Sequence, residues 1–378
     1  MAAGIASVMD LDRGVTAADR ATAVTMTGII LISVTLWLAF NEEAIKYILY
    51  TIPFTLTAAY LIINHWQVRV HGPAVGALGL YLACAVASMV VNAWFGFYAV
   101  RDVAIIGGYL FLFVLWFRAP SSTADLGLAA LAIGLIVEAT TEGVAEEVNL
   151  FGSNGILEST LAFPLGVIAL YYLHFGRWGR ALAAGVLLFL AFKRITFVAV
   201  VLAVGFDIVI ARYARLATAR AVALLGVLTF SVAALFSTQL FELVSNMLQL
   251  ERTSADSISL GRYNIATMLW QELLAGSPIR WMLGSGPGAA DALVTAHFQL
   301  VNPHNDWLKI LFDYGVVGFI AMHVVLYRIL AEHRLSLMLY IYGAVVMMTD
   351  NILIYMFYHP FVLLMLSAAR RQPVEGDG

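Results

Sequence analysis

Residues 21–40, ATAVTMTGIILISVTLWLAF, form a run of twenty residues without a charged side chain. A helix of about 20 apolar residues is long enough to cross the hydrocarbon core of a bilayer. The whole chain follows this pattern, since 62% of its 378 residues are hydrophobic, 12% are charged and the mean hydropathy is +0.88. Soluble domains carry about 25% charged residues. The sequence therefore predicts an all-α polytopic membrane protein and excludes a soluble globular enzyme.

Apolar runs recur along the chain and predict about twelve transmembrane helices. The first run is expected to be retained as a span, because no small-residue cleavage site follows it. No repeat or linker divides the chain, which predicts one transmembrane domain over residues 1–378. The predicted spans cover residues 21–40, 44–63, 74–91, 103–117, 126–139, 160–173, 181–192, 195–210, 217–236, 316–330, 335–349 and 352–369.

Lysines and arginines in short loops indicate the orientation, because cytoplasmic loops are enriched in both. With the N-terminus in the cytoplasm, thirteen arginines lie inside, and the short outer loops receive only Lys46, Arg101, Lys193 and Arg194. We therefore predict that both termini are cytoplasmic. Residues 237–315 then form one large external loop.

The external loop has the composition of a folded segment. Ile265, Met268, Leu269 and Leu273 recur at helical spacing and predict one buried helix face. Structureless loops of this length are uncommon in compact domains. The loop is therefore expected to be helical, to pack on the membrane domain and to carry part of a functional site.

Positive charges at two places are candidates for anion binding. Lys193 and Arg194 interrupt two apolar spans at the outer membrane edge, where they either extend to the interface or bind an anion. Arg262 follows Gly261 at the start of the predicted external helix, where the guanidinium and the helix dipole would both attract phosphate. A solvated loop arginine is the alternative for Arg262.

Residues 281–288, WMLGSGPG, are rich in glycine. No Gly-Lys-Ser/Thr follows and no strand precedes, so neither a Walker loop nor a dinucleotide fingerprint is present. The glycines favour a compact turn and give only a weak indication of a phosphate cradle. Arg280, directly before this run, is predicted to bind substrate.

Residues 302–308, NPHNDWL, predict a helix that starts with Asn302 as the cap and Pro303 as the first helical residue. His304 would then lie in the first turn, where the helix terminus disfavours an imidazolium ion. A neutral imidazole can accept a proton or orient a hydroxyl nucleophile. Asn305 or Asp306 would fix its tautomer, and both are predicted to bind substrate. A histidine that only caps or packs locally is the alternative.

Asp350 and Asn351 lie at the outer edge of the last two predicted spans and could line the same cavity. No spacing of His, Cys, Asp and Glu predicts a closed metal site. We therefore expect neither a metal ion nor another cofactor.

These motifs together resemble the O-antigen ligase and O-antigen/exopolysaccharide polymerase family of membrane glycosyltransferases. In that family a Gly-Arg pair opens an external helix, and a glycine-rich turn, a His-Asn-x-x-Leu helix start and a glycine pair follow in order. An arginine also ends a preceding span, often after a serine, whereas this chain has a lysine before the arginine. The matching positions are Arg194, Gly261-Arg262, 284–288, His304-Asn305 with Leu308, and Gly315 with Gly318.

The resemblance implies a GT-C-like fold and a metal-independent, inverting glycosyltransferase. The donor would be a glycan on undecaprenyl diphosphate at the periplasmic face of the bacterial inner membrane, and the acceptor would be a sugar. Arg194 and Arg262 would bind the diphosphate, and His304 would assist the acceptor hydroxyl.

Within this family the sequence slightly favours a polysaccharide polymerase, because no feature points to a lipid A core acceptor. An O-antigen ligase is the first alternative, and a lipid-linked sugar flippase is an alternative of another class. The expected partners are the lipid-linked donor, the acceptor sugar and the bilayer, followed by a chain-length regulator or other polysaccharide assembly proteins. Nucleic acid is not expected.

Overall fold

The computed structural model describes residues 15–40, 48–141, 159–212, 216–237, 239, 262–298 and 303–370. These residues form fifteen helices and one isolated β-bridge, between Val70 and Leu115. The helices are α1 (Ala17–Phe40), α2 (Ile52–Ile63), α3 (Gly72–Val91), α4 (Phe97–Val114), α5 (Ser122–Thr141), α6 (Ala162–His174), α7 (Trp178–Ala191), α8 (Arg194–Ile210), α9 (Leu216–Leu235), α10 (Arg262–Leu274), α11 (Pro278–Leu283), α12 (Ala289–Phe298), α13 (Asp306–Leu330), α14 (Arg334–Val346) and α15 (Tyr358–Ala369).

The helices confirm the prediction of an all-α polytopic membrane protein. In the described part of the chain, α1, α3, α4, α5, α9 and α13 are long and apolar enough to cross a membrane. The helices α2, α6, α7, α14 and α15 are apolar but shorter. Each of the twelve predicted spans overlaps one helix, whereas the number of membrane crossings stays a prediction.

One end of the bundle gathers the segments that matter for function. The helix α13 begins at Asp306, and its first amide donates to the carbonyl of Met347, just after α14, at 2.9 Å. The Asn305 side-chain amide donates to the carbonyl of Ala234 near the end of α9, at 3.1 Å. Since successive helices alternate in direction, the junction of α7 and α8 lies at this same end. We call it the His304 end.

The segment between α9 and α13, which the sequence predicts to be external and which we call the external segment, forms three short helices in its described residues, α10 to α12. The helix predicted from Arg262, whose pattern runs toward Leu274, is confirmed as α10; on its predicted face Ile265, Leu269 and Leu273 are buried, and Met268 is half-buried. The helix α13 begins at Asp306, ten residues before the span predicted from residue 316, and that predicted span stays a prediction. The helical conformation of α13 is interrupted at Gly315, which has φ 66° and ψ −169°.

The glycine-rich run forms the compact turn that its sequence predicts. Gly284, Gly286 and Gly288 all have positive φ, at 78°, 110° and 68°. A Cβ atom on Gly284 would lie 2.2 Å from the carbonyl oxygen of Asp313, and one on Gly315 would lie 2.5 Å from the amide nitrogen of Gly284. Only glycine therefore allows this turn to pack against the break in α13.

The backbone amides of the turn bind a carboxylate of the protein itself. Gly288 and Ala290 donate to the two carboxylate oxygens of Asp313, at 3.0 and 2.8 Å. An anion at the start of α12 is favoured by the helix dipole, and Asp313 occupies that position. The turn therefore docks the external segment on α13, and these amides are not open to phosphate.

A buried network of five charged side chains fixes the external segment to the bundle. Lys309 Nζ lies 2.6 Å from Asp102, 2.8 Å from Asp313 and 3.3 Å from Asp291. Arg101 Nη2 lies 3.0 Å from Asp102 and also pairs with Asp291. Three carboxylates thus share two cations, which leaves one negative charge in excess if all five groups are ionised. Arg101, predicted in an outer loop, instead lies within α4 and is buried.

Asp291 is the member of this network that comes from the external helix α12. Its burial raises its pKa to about 7, although Lys309 and Arg101 act in the opposite direction. The network therefore joins α4, α12 and α13 and holds the start of α13, with the residues before it, in a fixed place.

Candidate active site

A sharp reversal between α7 and α8 places two cationic side chains at the His304 end. Phe192 ends α7 in the left-handed conformation, with φ 45°, and Lys193 precedes the first residue of α8 in an extended conformation. Lys193 is half-buried, whereas Arg194, the first residue of α8, is exposed. The break that the charges indicate in the sequence is therefore present, and it turns both side chains toward the end of the bundle rather than into its core.

His304 lies at the same end, but before the helix rather than within it. The predicted cap, Asn302, lies outside the described residues, and the cap of α13 is Asn305. The prediction of His304 in the first helical turn is therefore wrong. His304 instead adopts a left-handed conformation, with φ 53°, and its side chain is 31% exposed. A strained backbone of this kind is typical of functional sites and is maintained by fixed surroundings.

Those surroundings come from the two residues that follow His304. The Asn305 side-chain oxygen accepts from the amide of Leu308 at 3.0 Å. The Asp306 carboxylate is buried and accepts from the amide of Leu353 at 3.0 Å. Both side chains bind the protein backbone, and the expectation that one of them fixes the His304 tautomer stays a prediction. Their predicted contacts with substrate are proposals that these bonds do not support.

The residue that faces His304 is Asp350, in the segment between α14 and α15. Asp350 Oδ1 lies 3.8 Å from His304 Nδ1 and accepts from the Tyr355 hydroxyl at 3.1 Å. The Asp350 side chain is 1% exposed. A buried carboxylate beside Nδ1 favours a proton on that nitrogen and leaves Nε2 as the basic atom of the ring.

Lys193 and Arg262, from the two segments predicted to bind an anion, both act on the Asp350 carboxylate. Burial alone would raise the pKa of Asp350, but proximity to His304 and the positive charges of Lys193 and Arg262 outweigh it and lower the pKa. Asp350 is therefore a carboxylate at neutral pH. The charges of Lys193 and Arg262 thus act on the carboxylate that lies beside His304, although these residues are separated by many positions in the sequence. From the sequence, Asp350 was expected only to line the same cavity.

Several polar atoms of the two segments that meet here have no partner within the protein. Within the described residues, His304 Nδ1, Asp306 Oδ1, Thr349 Oγ1 and both amide atoms of Asn351 are buried without a hydrogen-bond partner, as are polar atoms elsewhere in the bundle. Buried polar groups in native proteins are nearly always paired, so these atoms are suited to hydrogen bonds with water or a polar ligand.

The remaining predicted residue, Arg280, lies in α11 beside the glycine-rich turn. Its Nε donates to the Ser285 hydroxyl at 3.0 Å, and the side chain is half-buried. Its role in substrate binding stays a prediction. In the described residues, no group of three or more His, Cys, Asp or Glu side chains is arranged to hold a metal ion.

Sequence reasoning missed Tyr355 and the contact between Asp350 and His304. Asp350 offered a signal, because it is an acidic residue between two apolar runs. Tyr355 offered none, since tyrosine is common near span ends. The assembled group can bind an anion through Lys193 and Arg262 and can remove or orient a proton through His304.

The comparison with protein families gives one match within the chain. Residues 179–323 match a family model described as O-Antigen ligase. The match includes Lys193, Arg194, Arg262, Arg280 and His304, and it ends before Asp350. It confirms the resemblance drawn from the motifs. No curated protein and no solved structure matches the chain.

Proposed function

We propose that this chain, whose residues 179–323 match the O-antigen ligase family model, is a polysaccharide polymerase that uses a lipid-diphosphate-linked glycan as donor. The match supports a membrane enzyme of the O-antigen ligase or polymerase type. The observation that supports glycosyl transfer is the position of His304 beside Asp350, a carboxylate on which the charges of Lys193 and Arg262 also act. Cations suit the diphosphate, and the histidine suits the acceptor hydroxyl.

In the proposed reaction the acceptor hydroxyl oxygen attacks the anomeric carbon of the donor sugar. The new bond forms between that oxygen and the carbon, while the bond between the carbon and the diphosphate oxygen breaks. The hydroxyl proton passes to His304, and the diphosphate leaves with the electron pair. Attack opposite to the leaving group inverts the anomeric configuration.

The charged residues have distinct parts in this reaction. Lys193, Arg194 and Arg262 neutralise the diphosphate as negative charge develops on its bridging oxygen, and electrostatic stabilisation of this kind is usually the largest contribution to catalysis. Asp350 holds the His304 ring and stabilises the imidazolium that forms. In the proposed reaction, protein cations rather than a metal ion neutralise the charge on the leaving group.

Charge distribution supports a periplasmic location for the His304 end. Arg69, Arg118, Arg334 and Arg370 lie at the opposite end of the described helices, and lysine and arginine are enriched on the cytoplasmic side of membrane proteins. We therefore propose that the protein resides in the bacterial inner membrane, with both termini in the cytoplasm and undecaprenyl diphosphate as the lipid carrier. The acceptor would be the growing glycan on a second carrier lipid.

A ligase that transfers the glycan to lipid A core is the second candidate, because the matching family is described as O-antigen ligase. Glycan profiles of a deletion strain distinguish the two. Loss of the chain-length ladder with a single capped repeat supports the polymerase. Long glycan that accumulates on the carrier lipid supports the ligase. Lipid-linked repeats that remain on the cytoplasmic face would contradict both and indicate a flippase.

A further inference from the structure

An aromatic-lined cavity of about 270 Å³ opens next to the candidate site. Its walls come from α1, Tyr50 just before α2, the start of α6 and the segment between α14 and α15. We call it the aromatic cavity, and its defining residues are Trp37, Tyr50, Thr160, Phe163, Tyr355 and Phe357. The proposed reaction, as described so far, uses none of this space.

The aromatic cavity has rigid walls. Phe163 and Phe357 are buried, and each backs a half-exposed aromatic ring. Phe163 stacks on Tyr355 with ring centroids 5.2 Å apart and an angle of 22° between the planes. Phe357 lies 5.7 Å from the Trp37 ring. Packing of this kind restricts the half-exposed rings of Trp37 and Tyr355 before a ligand binds, which favours binding by lowering its entropy cost.

The lining combines aromatic rings with polar groups. Trp37, Tyr50 and Tyr355 are aromatic side chains with an N–H or O–H group at the ring edge, and Thr160 adds a hydroxyl. The apolar side chains of Pro164, Ile354 and Met356 complete the walls. A pyranose ring likewise has an apolar C–H face and a rim of hydroxyl groups, so the lining suits a sugar.

The position of the aromatic cavity relates it to His304. The hydroxyl of Tyr355, one of its walls, donates to Asp350 Oδ1, and the same oxygen faces His304 Nδ1. The wall at Thr160 adjoins the reversal that carries Lys193, because the neighbouring Ser159 amide donates to the carbonyl of Ala191 at 2.8 Å. A ring held here lies beside the proposed base and next to the cations.

We propose that the aromatic cavity is the subsite for the acceptor sugar, which stacks on Trp37 and Tyr355 and presents its hydroxyl to His304. The inference rests on the proposed glycosyl transfer. Tyr355 then has two functions, as a wall of the subsite and as a hydrogen-bond donor that positions Asp350. Trp37 is a binding residue alone.

The test measures acceptor binding separately from transfer. Purified full-length protein is mixed with the free repeat-unit oligosaccharide of the host polysaccharide, and saturation-transfer NMR reports which sugar protons contact the protein. The variants are Trp37→Leu, which removes the aromatic face, and Trp37→Phe, which keeps it. Trp178→Leu is the matched control, because Trp178 is an exposed tryptophan at the opposite end of the bundle.

We expect Trp37→Leu to weaken oligosaccharide binding by roughly two- to tenfold, as the loss of one aromatic contact predicts. Trp37→Phe and Trp178→Leu should bind as the unchanged protein does. In the transfer assay, Trp37→Leu should raise the KM for the oligosaccharide acceptor and leave the KM for the lipid-linked donor unchanged.

Equal binding by Trp37→Leu and the unchanged protein would overturn the subsite, even if transfer proceeds. A changed donor KM with an unchanged acceptor KM would also overturn it. Oligosaccharide binding that depends on Trp37 in a protein without transfer activity would support the sugar site and contradict the proposed function instead. The two ideas therefore fail in distinguishable ways.

Discussion

Replacing Lys309 by methionine is expected to release the external segment from the bundle. Lys309 is 1% exposed, and its ammonium group contacts the carboxylates of Asp102, Asp313 and Asp291 at 2.6, 2.8 and 3.3 Å. Methionine has a similar length but no charge, so the variant keeps the packing and removes the cation. Asp102 and Asp291 then share Arg101, and Asp313 keeps only the backbone amides of Gly288 and Ala290.

The magnitude follows from the loss of one partner in a buried ion network. Breaking such a pair typically costs about 3–5 kcal/mol, because an uncompensated charge remains in a medium of low polarity. A cost of this size is a large fraction of the stability of a typical domain. We therefore expect a clear fall in the unfolding temperature of the detergent-purified protein and faster proteolysis between α10 and α12.

A second substitution tests whether charge is the cause. Asp291→Asn in the Lys309→Met background removes one carboxylate and restores the charge excess of the unchanged network. The double variant should recover part of the lost stability, and the two changes should couple in a double-mutant cycle. Unchanged stability of Lys309→Met, or strictly additive effects of the two substitutions, would refute the idea that the buried charges of this network stabilise the external segment.

Three further outcomes are expected. Asp350→Asn should lower kcat on the order of 10- to 100-fold with little change in KM, because Asp350 positions the base and the substitution leaves the binding cations in place. An unchanged kcat in steady-state assays would contradict this role. Arg262→Gln should lower kcat/KM for the lipid-linked donor by roughly 10- to 100-fold through loss of a charged contact, whereas Arg180→Gln, at the opposite end and paired with Asp125, should retain the unchanged value. Because the pKa of Asp291 is raised to about 7 in the folded protein, its contribution to stability is present below the unfolded pKa near 4 and is lost as the pH rises through about 7; thermal unfolding of Asp291→Asn across this range should lack that slope.

Local sequence patterns account for most of the helices. Periodicity in one stretch is enough to predict the buried face of α10 and its end at Leu274, and apolar length is enough to predict spans such as α1. Helix starts are harder, because several residues compete for one cap. Asn302 and Asn305 both suit that position, and the backbone conformation of His304 decides in favour of Asn305.

The sequence does not predict which distant segments contact one another at the site and in the buried network. The cations Lys193 and Arg262 and the base His304 are recognisable by residue type and motif, but their common neighbour is set by the packing of α14 against α8. The sequence contains one local signal of the buried network of five charged side chains, the Lys309 and Asp313 pair at helical spacing in an apolar run. Its partners Asp102 and Asp291 come from two other elements, and a single sequence does not reveal that they meet.

The central claim, that His304 serves as the base of a glycosyl transfer beside a cationic diphosphate site, is tested most directly by one rate measurement. Purified protein and its His304→Ala variant are each given a defined lipid-diphosphate-linked glycan and an acceptor, and product is followed over time at neutral pH. We predict that the unchanged protein transfers the glycan and that the variant, with an unchanged unfolding temperature, is slower by on the order of 10²- to 10⁴-fold. A folded His304→Ala variant that transfers glycan at the rate of the unchanged protein would contradict the account.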